Sequence, residues 1–113
     1  MNSSDNREQP PLIRALLRPD AYDHPVDRLE LVETHISWLL LTGPFAYKIK
    51  KPIDLGYIDF STLELRRRYC HEEIRLNRRL APDTYLEVIS ITGSINSPRL
   101  SSNDDGAIDY AVK

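Results

Sequence analysis

The chain has 113 residues, of which 41% are hydrophobic and 28% are charged, and its formal net charge is −2. This length accommodates one domain with its own core, and the composition is that of a globular protein. A slightly acidic balance argues against nucleic-acid binding by the chain as a whole. The longest apolar run, residues 38–41, is far too short to cross a bilayer, so no membrane partner is expected.

Cysteine and histidine usage argues against a disulfide-stabilised protein and against a metal-binding protein. Cys70 is the single cysteine, so an internal disulfide is impossible and a reducing, cytoplasmic location is predicted. The three histidines are scattered without metal-ligand spacing, and no metal site is predicted. Residues 1–11 are polar, end in two prolines and lack the apolar core of a signal peptide. We predict that they are disordered and that the domain comprises residues 12–113.

The first half of the domain predicts a short helix followed by strands. Residues 12–17 form one or two helical turns that end before Pro19, because a residue preceding proline disfavours the helical region. Alternation of side chains at 29–34 and 45–50, and a run rich in large apolar side chains at 36–41, then predict three antiparallel strands. In the third strand the alternation separates two faces, one with Phe45, Tyr47 and Ile49 and the other with Ala46, Lys48 and Lys50.

The second half predicts one long helix and two more strands. Ser61, Thr62, Leu63 and Glu64 form a capping-box pattern with Ser61 as the N-cap, and the helix is predicted to extend over 62–80. Strands are predicted at 85–92 and 107–112, with a slack loop at 93–106. The predicted fold is therefore α+β: a five-stranded antiparallel sheet in the order β-β-β-α-β-β, with one long helix and a short N-terminal helix.

This order of elements is that of the small lobe of protein kinases. In that template a lysine on the third strand contacts nucleotide phosphates, and a glutamate of the following helix orients the lysine. Lys48 is the preferred phosphate lysine because Ala46 precedes it at the offset of the V-A-I-K pattern, and Lys50 on the same face is the alternative. Glu73 is the preferred partner because it borders a predicted buried stripe through Leu76 and Leu80, and Glu72 is second.

The turn between the first two strands would cover the phosphates in this layout. It lacks a glycine-rich pattern, but it offers the hydroxyls of Thr34 and Ser37 and the imidazole of His35 as donors to phosphate oxygens. The predicted nucleotide-binding residues are therefore Ala46, Lys48, Lys50 and Glu73, together with Thr34, His35 and Ser37.

Several long runs resemble the beginning of a family of bacterial aminoglycoside phosphotransferase-like proteins, some of which carry a second, P-loop kinase-like domain. These runs are 33–38 (ETHISW), 46–52 (AYKIKKP), 59–63 (DFSTL), 76–82 (LNRRLAP) and 109–113 (DYAVK). The resemblance covers 12–113 and implies a kinase-like, ATP-binding N-terminal lobe of a transferase that phosphorylates a small-molecule acceptor. The acceptor itself is not specified by these runs.

The catalytic half of such an enzyme has no counterpart in this sequence. Neither the H-x-D motif nor the metal-binding D-F-G motif occurs, so no catalytic residue is assigned and the chain alone is expected to be inactive. Magnesium is expected only together with the missing lobe. We also expect exposed apolar surface around Val112 and the last strand, and with it a tendency to self-associate.

An alternative function rests on the predicted helix 62–80. It contains six arginines, Arg66, Arg67, Arg68, Arg75, Arg78 and Arg79, which could bind RNA or a protein partner in a non-enzymatic module. Because Glu64, Glu72 and Glu73 lie on the same helix and partly neutralise these charges, a solvated helix face is the preferred interpretation and nucleic acid is not the expected partner.

Overall fold

The structure, a computed structural model, describes residues 9–102 and 105–113. Its helices are α1 (Pro11–Leu16) and α2 (Leu63–Asn77), with a 3₁₀ turn at Pro19–Ala21. Its strands are β1 (Glu30–Glu33), β2 (Ser37–Leu41), β3 (Ala46–Lys50), β4 (Val88–Gly93), β5 (Pro98–Ser101) and β6 (Asp109–Val112). Most of the predicted disordered segment 1–11 lies outside the described residues, and Pro11 within it is the first residue of α1.

The strands form one antiparallel sheet in the order β1-β2-β3-β6-β4-β5, with the pairings β1–β2, β2–β3, β3–β6, β6–β4 and β4–β5. The α+β class and the antiparallel sheet are confirmed, but the sheet has six strands where five were predicted. The additional strand, β5, lies within the predicted slack loop. It alternates buried Pro98 and Leu100 with exposed Arg99, and it lies at the sheet edge, where a proline is tolerated.

The two faces of the sheet are covered by different segments. On one face, Tyr47 and Ile49 of β3 belong to the larger core, which α1 closes through Ile13 and Leu16. On the other face α2 packs Cys70 and Ile74 against β6, and the smaller core lies there. The predicted division of β3 into an apolar and a lysine-bearing face is confirmed, because a strand necessarily directs successive side chains to opposite sides.

Helix α2 begins one residue later than predicted. The Thr62 side chain is the cap, and its Oγ1 accepts the backbone N–H of Leu65 at 3.1 Å. Ser61 does not cap the helix because Asp59 Oδ1 accepts both its backbone N–H, at 3.0 Å, and its hydroxyl, at 2.6 Å. The helix ends at Asn77 rather than residue 80, and a turn follows in which the backbone N–H groups of Leu80 and Ala81 both donate to the Asn77 carbonyl.

The last strand occupies the interior of the sheet, contrary to expectation. Because β6 lies between β3 and β4, Val112 is only 5% exposed, and the apolar surface expected around it is absent from the described residues. The predicted antiparallel pairing of the fourth and last strands is present as β4–β6. No helix within 9–102 and 105–113 is long and apolar enough to span a membrane.

Candidate functional site

Two lysines and one glutamate form an ion-pair cluster between β3 and α2. Lys48 Nζ donates to Glu73 Oε2 at 2.8 Å, and Lys50 Nζ donates to Glu73 Oε1 at 2.7 Å. The lysines are two residues apart in an extended strand, so both project from the face that α2 covers. Each carboxylate oxygen of Glu73 therefore has its own lysine, and the cluster retains a net charge of about +1 at neutral pH.

The three members of the cluster differ in burial. The side chain of Lys48 is 33% exposed, whereas those of Lys50 and Glu73 are 8% and 14% exposed. Burial by itself would raise the pKa of Glu73, but the hydrogen bonds and positive charges of the two lysines outweigh it and hold that pKa below its ordinary value. Glu73 is consequently a carboxylate at neutral pH.

The surroundings of Lys50 are largely apolar. Its Nζ lies 4.9 Å from the centroid of the Phe60 ring, within range of a cation–π contact. Cys70 of α2 is fully buried nearby, and burial raises the pKa of its thiol to about 12 although the charge of Lys50 opposes this. The Cys70 side chain is therefore a neutral packing group.

A cleft of about 220 Å³ opens beside Lys48. Its described lining consists of Leu39, Ala46, Lys48, Glu73, Thr84, Tyr85, Val112 and Lys113. The strand register explains why Lys48 lies between apolar side chains. Lys48 pairs with Leu39 of β2 on one side and with Val112 of β6 on the other, so these three side chains lie on the same face of the sheet. The cleft thus joins an apolar floor to one end of the ion-pair cluster.

Four of the predicted site residues come together, and three do not line the cleft, although Ser37 lies opposite Lys50 in the β2–β3 pairing. Ala46, Lys48 and Glu73 line the cleft, and Lys50 contacts Glu73 from the interior. In the β1–β2 turn the hydroxyls of Thr34 and Ser37 are 2.9 Å apart and bond each other, and His35 is exposed. These turn residues are not among the described residues that line the cleft.

The geometry also corrects the reason for choosing Glu73. Leu76 and Leu80 are 51% and 89% exposed, so they do not form the buried stripe that was predicted. The buried side chains of α2 are Cys70 and Ile74, and Glu73 lies next to this stripe instead. Of the cleft lining, the sequence prediction missed Leu39, Thr84, Tyr85, Val112 and Lys113. Leu39 and Val112 could have been found from the alternation of their strands once the register was known.

A second groove on the described surface differs from this cleft in its charges. A larger groove of about 410 Å³ lies by the β2–β3 turn, and its two charged lining residues, Arg28 and Glu30, have opposite charges and pair with each other at 2.8 Å. In the part of the chain that the structure describes, no group of three or more His, Cys, Asp or Glu side chains is arranged to hold a metal ion.

The sequence matches uncharacterized proteins of Mycobacterium bovis and of two Mycobacterium tuberculosis strains. Each is 39% identical over 72 residues, which is 61% of this chain and 14% of the relative. The matched stretch therefore spans about a seventh of the length of these relatives. No family model matches the sequence, and no solved structure matches it.

Proposed function

We propose that the chain binds ATP in the cleft beside Lys48 and acts as the nucleotide-binding lobe of a small-molecule phosphotransferase of the aminoglycoside-kinase type. The observation that carries the proposal is the Lys48–Glu73 ion pair, in which a strand lysine and a glutamate of the following helix meet at 2.8 Å on the wall of a cleft. This is the pairing that phosphoryl-transfer proteins of the kinase type use to hold nucleotide phosphates.

The charge and apolarity of the cleft both support a nucleotide. Lys48 places an ammonium group in the lining of the cleft, where it favours a ligand that carries phosphate. Lys113 also lines the cleft, but its ammonium group lies over the Phe45 ring at 4.1 Å, beside the larger core. Leu39, Ala46 and Val112 supply apolar surface for a planar base. The volume of about 220 Å³ is smaller than the roughly 300–1,000 Å³ usual for ligand sites, so we expect the cleft to enclose only part of the nucleotide.

The proposal assigns binding, and not transfer, to these residues. Lys48 would neutralise and orient phosphate oxygens, and Glu73 would fix the direction of the Lys48 ammonium. Transfer to an acceptor hydroxyl requires a residue that orients the hydroxyl and carboxylates that hold magnesium, and the motifs for both are absent from this sequence. In the mycobacterial relatives, the matched stretch leaves about six-sevenths of the chain for such residues.

The test is a calorimetric titration of ATP and of adenosine into the wild-type chain and into Lys48→Met. Loss of a charge-assisted contact should weaken ATP binding about tenfold to a hundredfold and leave adenosine binding unchanged. Lys51→Met is the matched control, because Lys51 pairs with Glu33, outside the cleft, at 2.6 Å. Absence of ATP binding by the wild type, or equal ATP affinities for wild type and Lys48→Met, would contradict the proposal.

The alternative of an RNA-binding helix receives less support. Arg66 is directed inward to Asp109, and Arg67 and Arg75 pair with Glu64 and Glu72 of the same helix. These three guanidinium groups already face carboxylates, so the helix presents a smaller unneutralised charge than its arginine content suggests. Steeply salt-dependent binding of an RNA oligonucleotide, lost on arginine-to-alanine changes in α2, would reverse this preference.

A further inference from the structure

We propose that Lys50 is a positioning residue, which holds Glu73 from the interior side so that Lys48 is the lysine that reaches bound phosphate. This inference rests on the proposed ATP site and assigns different tasks to the two lysines, of which the sequence pattern preferred Lys48 and kept Lys50 as the alternative. Lys50 is confined to the interior, since its side chain is 8% exposed and is not among the described residues lining the cleft. Lys48 is 33% exposed and lines the cleft.

The contacts of Lys50 explain how it stays in place. Its ammonium group is bound to Glu73 Oε1 at 2.7 Å and lies over the Phe60 ring at 4.9 Å. A buried ammonium is unfavourable without a close partner, so Lys50 is held to Glu73, which is the carboxylate it contacts in the interior. Lys48 is free of this restriction because water reaches a third of its side chain.

The arrangement has a consequence when an anion enters the cleft. As Lys48 turns toward a phosphate, its hydrogen bond to Glu73 Oε2 lengthens or breaks, and Lys50 still compensates the carboxylate through Oε1. Without Lys50, Glu73 would depend on Lys48 alone and would compete with the phosphate for it.

A double-mutant cycle distinguishes positioning from direct contact. Calorimetry gives the dissociation constants of ATP and adenosine for wild type, Lys50→Met, Glu73→Gln and the combined variant. Positioning through Glu73 predicts that Lys50→Met weakens ATP binding about tenfold in the wild-type background but within about twofold in the Glu73→Gln background. Adenosine affinity should stay constant, and Lys50→Arg should restore most of the ATP affinity. An equal loss in both backgrounds, or no loss in either, overturns the inference.

A second measurement does not depend on ATP. Carbon-13 NMR titration of the Glu73 carboxylate should give a higher pKa in Lys50→Met than in wild type, because one of the two lysines that lower it is gone. An unchanged pKa contradicts the assignment. If the wild type binds no ATP, the proposed function fails while this titration still tests the hold of Lys50 on Glu73. Lys50→Gln, which is shorter than lysine but keeps an uncharged hydrogen-bond donor, replaces Lys50→Met if the latter does not fold.

Discussion

Arg66 donates its Nε–H to Asp109 Oδ1 at 3.1 Å, and this ion pair fastens α2 to β6. Both side chains are nearly buried, at 12% and 11% exposed, and Arg66 also donates to the Phe60 carbonyl at 2.9 Å. Burial raises the pKa of Asp109, and this effect exceeds the lowering by the Tyr110 backbone N–H and by Arg66. The pair therefore fixes where α2 sits on the sheet rather than adding much net stability.

Removing one partner of this pair should lower the free energy of unfolding. Arg66→Met leaves the Asp109 carboxylate buried without its cation, and we expect a loss of about 3 kcal/mol in the free energy of unfolding at pH 7. The raised pKa of Asp109 in the folded state means that its ionised form opposes folding. The loss of stability in Arg66→Met should therefore shrink as the pH falls through the pKa of Asp109 in the folded variant, where this carboxyl becomes protonated. Urea unfolding at pH 7 and pH 5 measures both effects. Arg68→Met, at an exposed position of α2, is the control and should change stability by less than about 0.5 kcal/mol. Equal losses for the two variants would contradict the assignment.

Glu73 should give the opposite pH dependence. Its folded pKa lies below the ordinary value, so it contributes stability that is complete above the unfolded carboxyl pKa and is lost as the pH falls through the folded pKa. Glu73→Gln should therefore flatten the decline of the urea midpoint between neutral and acid pH. Glu72→Gln is the control from the same helix, because Glu72 pairs with Arg75 on the exposed surface. The idea is wrong if both substitutions change the acid-side slope equally.

The N-cap of α2 can be tested with two neighbouring hydroxyl residues. Thr62→Ala removes the acceptor of the Leu65 N–H and should destabilise the chain by about 1 kcal/mol. Ser61→Ala removes only an exposed hydroxyl that bonds Asp59, and should cost less than about 0.5 kcal/mol. Thermal unfolding followed by circular dichroism compares them. A larger loss for Ser61→Ala would place the cap at the residue that the sequence pattern favours.

Substitution of Gly93 should destabilise the protein more than substitution of Gly43. Both have a positive φ, of 86° and 97°, but a Cβ at Gly93 would lie 2.5 Å from the Ser97 carbonyl oxygen, and a Cβ at Gly43 meets nothing within 4 Å. Gly43→Ala should lose about 1 kcal/mol through backbone strain, and Gly93→Ala should lose about 1–3 kcal/mol more because the β4–β5 turn must shift. Chemical denaturation of the two variants measures the difference. Similar losses would mean that the turn relaxes freely.

The sequence predicted the parts of the fold that depend on local periodicity. The alternation in β3 placed Lys48 and Lys50 on one face, and that face meets α2. The preference for Lys48 over Lys50 came from the position of Ala46 and not from burial, because the difference in burial of the two lysines depends on where α2 lies over the strand. The sequence also did not determine which side of α2 faces the sheet. Leu76 is hydrophobic yet 51% exposed, because only the Cys70–Ile74 side of α2 faces the sheet.

Two further misses have local causes. Strand β5 has only four residues and begins with Pro98, so its short alternation was obscured by the surrounding turn residues. The predicted helix cap was one residue too early, because Ser61 and Thr62 are both favourable cap residues. In the structure Ser61 is hydrogen-bonded to Asp59, and Thr62 is the cap.

The position of β6 has a consequence for biosynthesis. Within the described residues, the β1–β3 meander and the β4–β5 hairpin are joined in the sheet only through β6, although β6 is the last of the six strands in the chain. During vectorial synthesis the edges of β3 and β4 therefore emerge from the ribosome before their shared partner exists. Unpaired edges of this kind can recruit strands from neighbouring nascent chains. The edges of β3 and β4 that pair with β6 therefore stay unpaired until the last of the six strands has been synthesised.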